Sequence, residues 1–205
     1  HLCEEMLSAN VNHKSRRILQ KCVKSVLVLV TFVNTKSVHV KNKNRKIREK
    51  QSFDFRDFKM ADKEDILVTR FREYIRVNTM QPNPDYKAAE EFIHKYGDEL
   101  GLEFSSHECI TGKPCIVLTW KGSEPELPSI LLNSHIDVVP VFPSQWDHEP
   151  FSAHKTEDGW IYGRGTQDMK CVGIWYMEAI RVLKMQVHNK IIYIQPYVIF
   201  VNNRK

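Results

Sequence analysis

Acidic residues stop early in this chain: among 205 residues no Asp or Glu follows Glu178, and the only later histidine is His188. Any chemistry that needs carboxylates must draw them from the part before residue 179. Long hydrophobic runs are missing too. The apolar stretches at 26–33 and 191–201 fall well short of the roughly 20 residues that cross a bilayer. The first has Lys21 and Lys24 before it but lies late and lacks a small-residue cleavage site, so it does not read as a signal-peptide core. The five cysteines, Cys3, Cys22, Cys109, Cys115 and Cys171, contain no C-x-x-C pair and leave an odd count, which argues against a disulfide framework. Reduced thiols and a cytoplasmic setting are expected instead. No Gly/Ser linker and no internal repeat divide the sequence.

Basic charge is confined to one end. Residues 1–59 carry 14 Lys+Arg against 5 Asp+Glu, a balance of +9, while the rest carries 16 against 20, or −4. The densest basic run, 41–50, lacks the interleaved aromatics and the recognisable binding fold of a nucleic-acid module, so a solvated leader is expected and nucleic acid is not. Met60-Ala61-Asp62 has the look of a natural start, so residues 1–59 are expected to be non-native or disordered leader.

Two blocks carry the chemistry. The first is SHIDVVP at 134–140, the second GRGTQDMK at 163–170, with Asp168 31 residues beyond Asp137. The apolar stretch 129–133 before His135 reads as a buried strand, which places His135 at its carboxyl end. Residues two apart in extended chain share a face, so His135 and Asp137 can aim into one crevice. A neutral imidazole ligates zinc well, and a carboxylate can accept its other ring N–H and fix its tautomer. His135 is therefore expected as a metal ligand and Asp137 as its catalytic orienting partner. In the second block, Gly163 and Gly165 allow a tight turn after a short strand at 159–162, leaving Asp168 at the mouth of a helix that starts near Met169 or Lys170. Two divalent ions ~3.5–4 Å apart need a shared anionic ligand, and Asp168 is the candidate bridge.

Together the blocks resemble the aminoacylase branch of the M20 metallopeptidase family, in which the histidine of S-H-x-D-V-V-P and the aspartate of G-R-G-x-x-D-M-K are zinc ligands. The resemblance extends over about residues 65–188, through 69–82, Asp85-Tyr86-Lys87-Ala88-Ala89, Val117-Leu118-Thr119-Trp120, Trp146 and Pro150-Phe151. It implies zinc-dependent hydrolysis of small-molecule N-acyl-L-amino acids to a carboxylate and a free amino acid, with a glutamate as general base. Dipeptidases and carboxypeptidases of the same family share both motifs and are the alternative activity; an inactive interaction module is the non-enzymatic one. The family's Glu-Glu pair, further carboxylate ligand and distal histidine lie downstream of these motifs, and the absence of acidic residues after Glu178 leaves them without counterparts. Two zinc ions in the family become at most a partial site, impaired turnover is expected, and the lid domain through which the family forms homodimers has no counterpart.

Apolar spacing predicts helices over 65–78, 86–100 and 171–185, the second closed by Gly101, and strands near 103–106, 116–120 and 129–133. The fold class expected is α/β, a layered mixed or mostly parallel sheet with flanking helices. Residues 60–190 form the partial catalytic domain and 191–205 an atypical apolar tail, in which Pro196 would interrupt any central strand ladder. Cys171 reads as a buried apolar residue or an extra soft ligand. Arg164 and Lys170 read as structural charges or as a hold for a substrate carboxylate, and His148 and His154 as surface residues.

Overall fold

The computed structural model describes residues 64–124, 126–186 and 196–201. The basic run, the apolar 26–33 stretch and His188 lie outside the described residues.

Helix α1 (Ile66–Arg76) starts at Asp65, whose carboxylate accepts from Leu67 N at 3.0 Å as an N-cap. Helix α2 (Tyr86–Glu99) repeats the device with Asp85 accepting from Ala88 N at 2.9 Å. It ends as its glycine predicts: Gly101 has φ +59° and Leu102 N returns to Gly97 O at 3.0 Å. A hairpin follows, β1 (Glu103–Ile110) and β2 (Lys113–Thr119), longer than the sequence pattern suggested because polar residues at 105–108 continue the ladder to the turn. Strand β3 (Ile130–His135) delivers His135 as its last residue. A two-strand ribbon, β4 (His154–Lys155) and β5 (Ile161–Tyr162), precedes helix α3 (Lys170–Gln186), and β6 (Pro196–Val201) closes the set.

The main sheet is mixed, in the order β1-β2-β6-β3, with β6 antiparallel to β2 and parallel to β3. Pro196 thus stands in a central strand, but at its first position, where its missing N–H costs little and the ladder begins after it. The described part of the apolar tail is a sheet strand, and the proline marks where it starts rather than interrupting it. Phe104, Leu118, Val198 and Leu132 form one cross-strand row, with Leu118, Val198 and Leu132 buried beneath the helices. The core joins this row to Tyr74, Ile93 and Tyr96 from α1 and α2 and to Ile174, Met177 and Ile180 from α3. Tyr96 donates to the nearly buried Glu178, which also accepts from Arg181 Nε at 2.9 Å, so α2 and α3 are joined by a polar network inside the apolar layer. Among the described residues no helix is long and apolar enough to cross a membrane.

Candidate metal centre

The parallel pairing of β3 with β6 carries the first block past the sheet's carboxyl edge, where Ile136 N still bonds to Val201 O at 2.8 Å. The chain then turns, and its turn is clamped from the segment after α1: Thr79 Oγ1 donates to Ile136 O at 2.7 Å, and Val138 N donates to Thr79 O at 3.1 Å. The second block folds back over the same edge. Ser134 Oγ reaches Met169 O at 3.4 Å, Arg164 N bonds Pro150 O at 2.7 Å, and Lys170 N closes the glycine turn on Gly165 O at 3.0 Å. Gly165 has φ +90°, a conformation open to glycine and strained for other residues.

These turns bring the two blocks together. His135 Nε2 lies 2.8 Å from Asp168 Oδ1, with the His135 side chain 13% exposed and the Asp168 side chain 70% exposed. His135 Nδ1 lies 2.8 Å from the main-chain oxygen of Asp137 and 3.5 Å from its carboxylate Oδ1. The expected carboxylate acceptor is therefore displaced by the carbonyl of the same residue. The reason is the turn after β3, which points the Asp137 carbonyl at the ring while its fully buried carboxylate faces the tyrosines. Burial, and then the Asp137 charge, raise the Tyr74 and Tyr86 hydroxyls above their usual range.

A carbonyl can only accept, so Nδ1 donates to Asp137 O, and Nε2 is the nitrogen that faces Asp168. An ionised carboxylate is also acceptor-only, so a positive partner, a proton or a cation, belongs between Nε2 and Oδ1. One imidazole nitrogen and one carboxylate oxygen are donors of the kind zinc takes, and the ring is already oriented from behind as zinc histidines usually are. Bond lengths of ~2.0–2.2 Å in a tetrahedral site would hold the two atoms about 3.3 Å apart, a few tenths beyond their present separation. The fit is one of kind and not of number, since no group of three or more His, Cys, Asp or Glu suited to a metal occurs among the described residues.

The neighbouring residues have other work. Lys170 is fully buried, donates to the carbonyls of Tyr74 at 2.9 Å and Val77 at 2.5 Å, and lies 4.7 Å from the Tyr74 ring centroid. Burial pulls its ammonium down to about 7. It offers no hold for a substrate carboxylate. The Arg164 guanidinium lies 5.0 Å over the Trp146 ring. Cys171 is buried with its thiol toward Gln167 O at 3.2 Å, as a small core residue. His154 is exposed and stacks on half-buried His148, with centroids 4.0 Å apart. Thr79, Tyr74 and Tyr86, which frame Asp137 and its turn, lie in stretches that carried the resemblance, but their role was not legible, because only tertiary packing brings them to Asp137.

Comparison with known proteins places the segment. The profile of Peptidase family M20/M25/M40 matches residues 131–196, a stretch that runs from β3 to the start of β6. Over these residues the chain is similar to that family, and its mixed sheet with flanking helices is the fold of a solved M20 metallopeptidase. An M20 family metallo-carboxypeptidase from Sulfolobus solfataricus superposes with a TM-score of 0.56 at 19% identity, over 68% of this chain and 31% of that one. Human carnosine dipeptidase 1 gives 0.50 at 19% identity, over 66% and 31%. In sequence the chain is similar to aminoacylase-1: 54% identical to the Sus scrofa protein over 122 residues and to the Homo sapiens protein over 121. Aminoacylase-1 of Dictyostelium discoideum is 43% identical over 114 residues. The matched regions are 60%, 59% and 56% of this chain, and the chain spans only 30%, 30% and 28% of the length of those relatives.

Proposed function

We propose that this segment belongs to a zinc-dependent amidohydrolase of the aminoacylase kind, acting on N-acyl-L-amino acids, to which it contributes His135 and Asp168 as metal ligands. The observation that carries the reading is the approach of His135 Nε2 to Asp168 Oδ1 at 2.8 Å, a pair that takes a proton or a cation between its atoms. Similarity to aminoacylase-1 at 54% identity supports the substrate class.

The roles follow from the geometry. Asp137 holds the His135 ring through its carbonyl, so that Nε2 is the nitrogen turned toward Asp168. Asp168, 70% exposed, keeps an oxygen available for a second cation. Zinc, when bound, polarises an amide carbonyl as a Lewis acid and acidifies water. Proton transfer from that water to the leaving amine needs a general base, and none of the three residues is free to serve as one. Zinc sites ordinarily use three or four protein ligands, so two alone bind weakly. Slow or undetectable turnover by the isolated chain is therefore expected.

Two measurements test this. Calorimetric zinc titration of the chain should show binding that falls at least tenfold in His135→Ala and in Asp168→Ala. Unchanged stoichiometry and affinity in His135→Ala would sink the ligand assignment. For the substrate class, the matching 122 residues can replace their counterpart in Sus scrofa aminoacylase-1. The chimera should hydrolyse N-acetyl-L-methionine, and a chimera that folds, binds zinc and cleaves only dipeptides would hand the reading to the dipeptidase branch.

A further inference from the structure

Lysine is seldom fully buried unless its ammonium is paired, and Lys170 is paired in an unusual way. Its acceptors are the carbonyls of Tyr74 and Val77, at 2.9 and 2.5 Å, where α1 ends. The Tyr74 carbonyl also accepts from Val77 N at 3.2 Å, and both carbonyls lie at the negative end of the helix dipole, so a cation from another element suits them. The stem of Lys170 packs against the glycine turn: a Cβ added at Gly165 would lie 3.3 Å from Lys170 Cδ and 2.8 Å from Val138 Cγ1. Two residues beyond Val77, Thr79 grips the other block through Ile136 O and Val138 N, at 2.7 and 3.1 Å. Residues 74–79 thus stand between the two motif blocks and are bonded to both.

The geometry points to Lys170 as a positioning residue that brings Asp168 against His135. Asp168 projects from a turn and is 70% exposed, so its own surroundings leave it many rotamers. What fixes the origin of that side chain is the residue two positions on, whose ammonium ties the start of α3 to the segment that also clamps the turn after His135. Removing the ammonium leaves the Val77 carbonyl without that donor and the Tyr74 carbonyl with only Val77 N, and it unties the start of α3 from this segment. The inference rests on the proposed pairing of His135 with Asp168, but it can be read without metal.

The test uses the full 205-residue chain. In metal-free protein, long-range proton–nitrogen NMR of the His135 ring should respond to Asp168→Asn in the wild-type background and no longer respond in a Lys170→Met background. Zinc affinity of Lys170→Met should drop at least tenfold, as for other residues that orient metal ligands, and Lys170→Arg, which keeps a cation and donors, should recover part of it. Tyr96→Phe, which loosens the fold at the Tyr96–Glu178 bond, should change neither readout. A folded Lys170→Met protein whose His135 ring still senses residue 168, or whose zinc affinity stays within twofold, overturns the assignment. So does a wild-type ring indifferent to Asp168→Asn. If Lys170→Met fails to fold, Thr79→Val opens the other arm of the same bridge, and retained coupling there overturns it equally. A wild type that binds no zinc refutes the zinc reading and leaves the metal-free comparison to decide the role of Lys170.

Discussion

Gly165 shows how narrow the tolerance of the candidate metal centre is. Its φ of +90° suits glycine alone, and a methyl group there would press on Val138 Cγ1 at 2.8 Å and on the Lys170 stem. Gly165→Ala should cost about 1–3 kcal/mol from the backbone conformation, read as a lower midpoint in urea denaturation. Because the clash falls on the two residues that space the motif blocks, it should weaken zinc binding as well; a variant with unchanged midpoint would show that the turn relaxes freely. At this scale the sequence was partly readable. His135 and Asp168 could be paired before any coordinates through the family resemblance that their two blocks carry together, and the structure brings them to 2.8 Å. The partner of His135 Nδ1 could not be read in full, because carbonyl and carboxylate of the same Asp137 compete and only the turn after β3 decides between them. Lys170 was unreadable for a different reason. A lysine beside a glycine turn looks solvated until α1 is placed across it.

Secondary-structure elements were the most legible level, and their attachments the least. The helices emerged from apolar spacing, with Gly101 closing the second, to within a residue or two of their ends. The attachment of α1 to the β4 ribbon was invisible, because it depends on charges distant in sequence. Glu64 accepts from Thr69 at 3.1 Å, Arg72 at 2.9 Å and Lys155 at 3.0 Å. Burial of Glu64 opposes its ionisation, but hydrogen bonds from Lys155 and Thr69 and the Arg72 charge outweigh it and hold the carboxyl below its ordinary 4.5. A carboxyl whose folded pKa is depressed adds stability that is complete above the unfolded value and disappears as pH falls through the folded one. Wild type should therefore exceed Glu64→Gln in stability at pH 7, and the difference should shrink below pH 4.5, as urea titrations at pH 7 and pH 3 would record. A gap that persists at pH 3 would mean that Glu64 acts through packing and not through charge.

For the whole molecule the decisive element is β6, and the sequence argued against it. Pro196 suggested a broken strand, because a proline cannot donate to a ladder; nothing local reveals that it occupies the one position where that donor is dispensable. Once in place, β6 joins the hairpin to β3, pairing Val198 with Leu118 on one side and with Leu132 on the other. Phe200 lies under α3, so close to Gly173 that a Cβ there would meet its Cε1 at 2.6 Å. Without β6 the hairpin and β3 have no common neighbour, and the His135 end of β3 loses the strand against which its last residues align. A chain ended at residue 186 should accordingly lose cooperative unfolding and its near-ultraviolet circular dichroism, keeping at most local helix. Val198→Asp, which places a charge at a fully buried position in the same row, should do so without shortening the chain. Cooperative unfolding of both variants at the wild-type midpoint would show that the sheet holds together through α3 alone, and the candidate metal centre would then owe its alignment to the helices and not to the parallel pairing of β3 with β6.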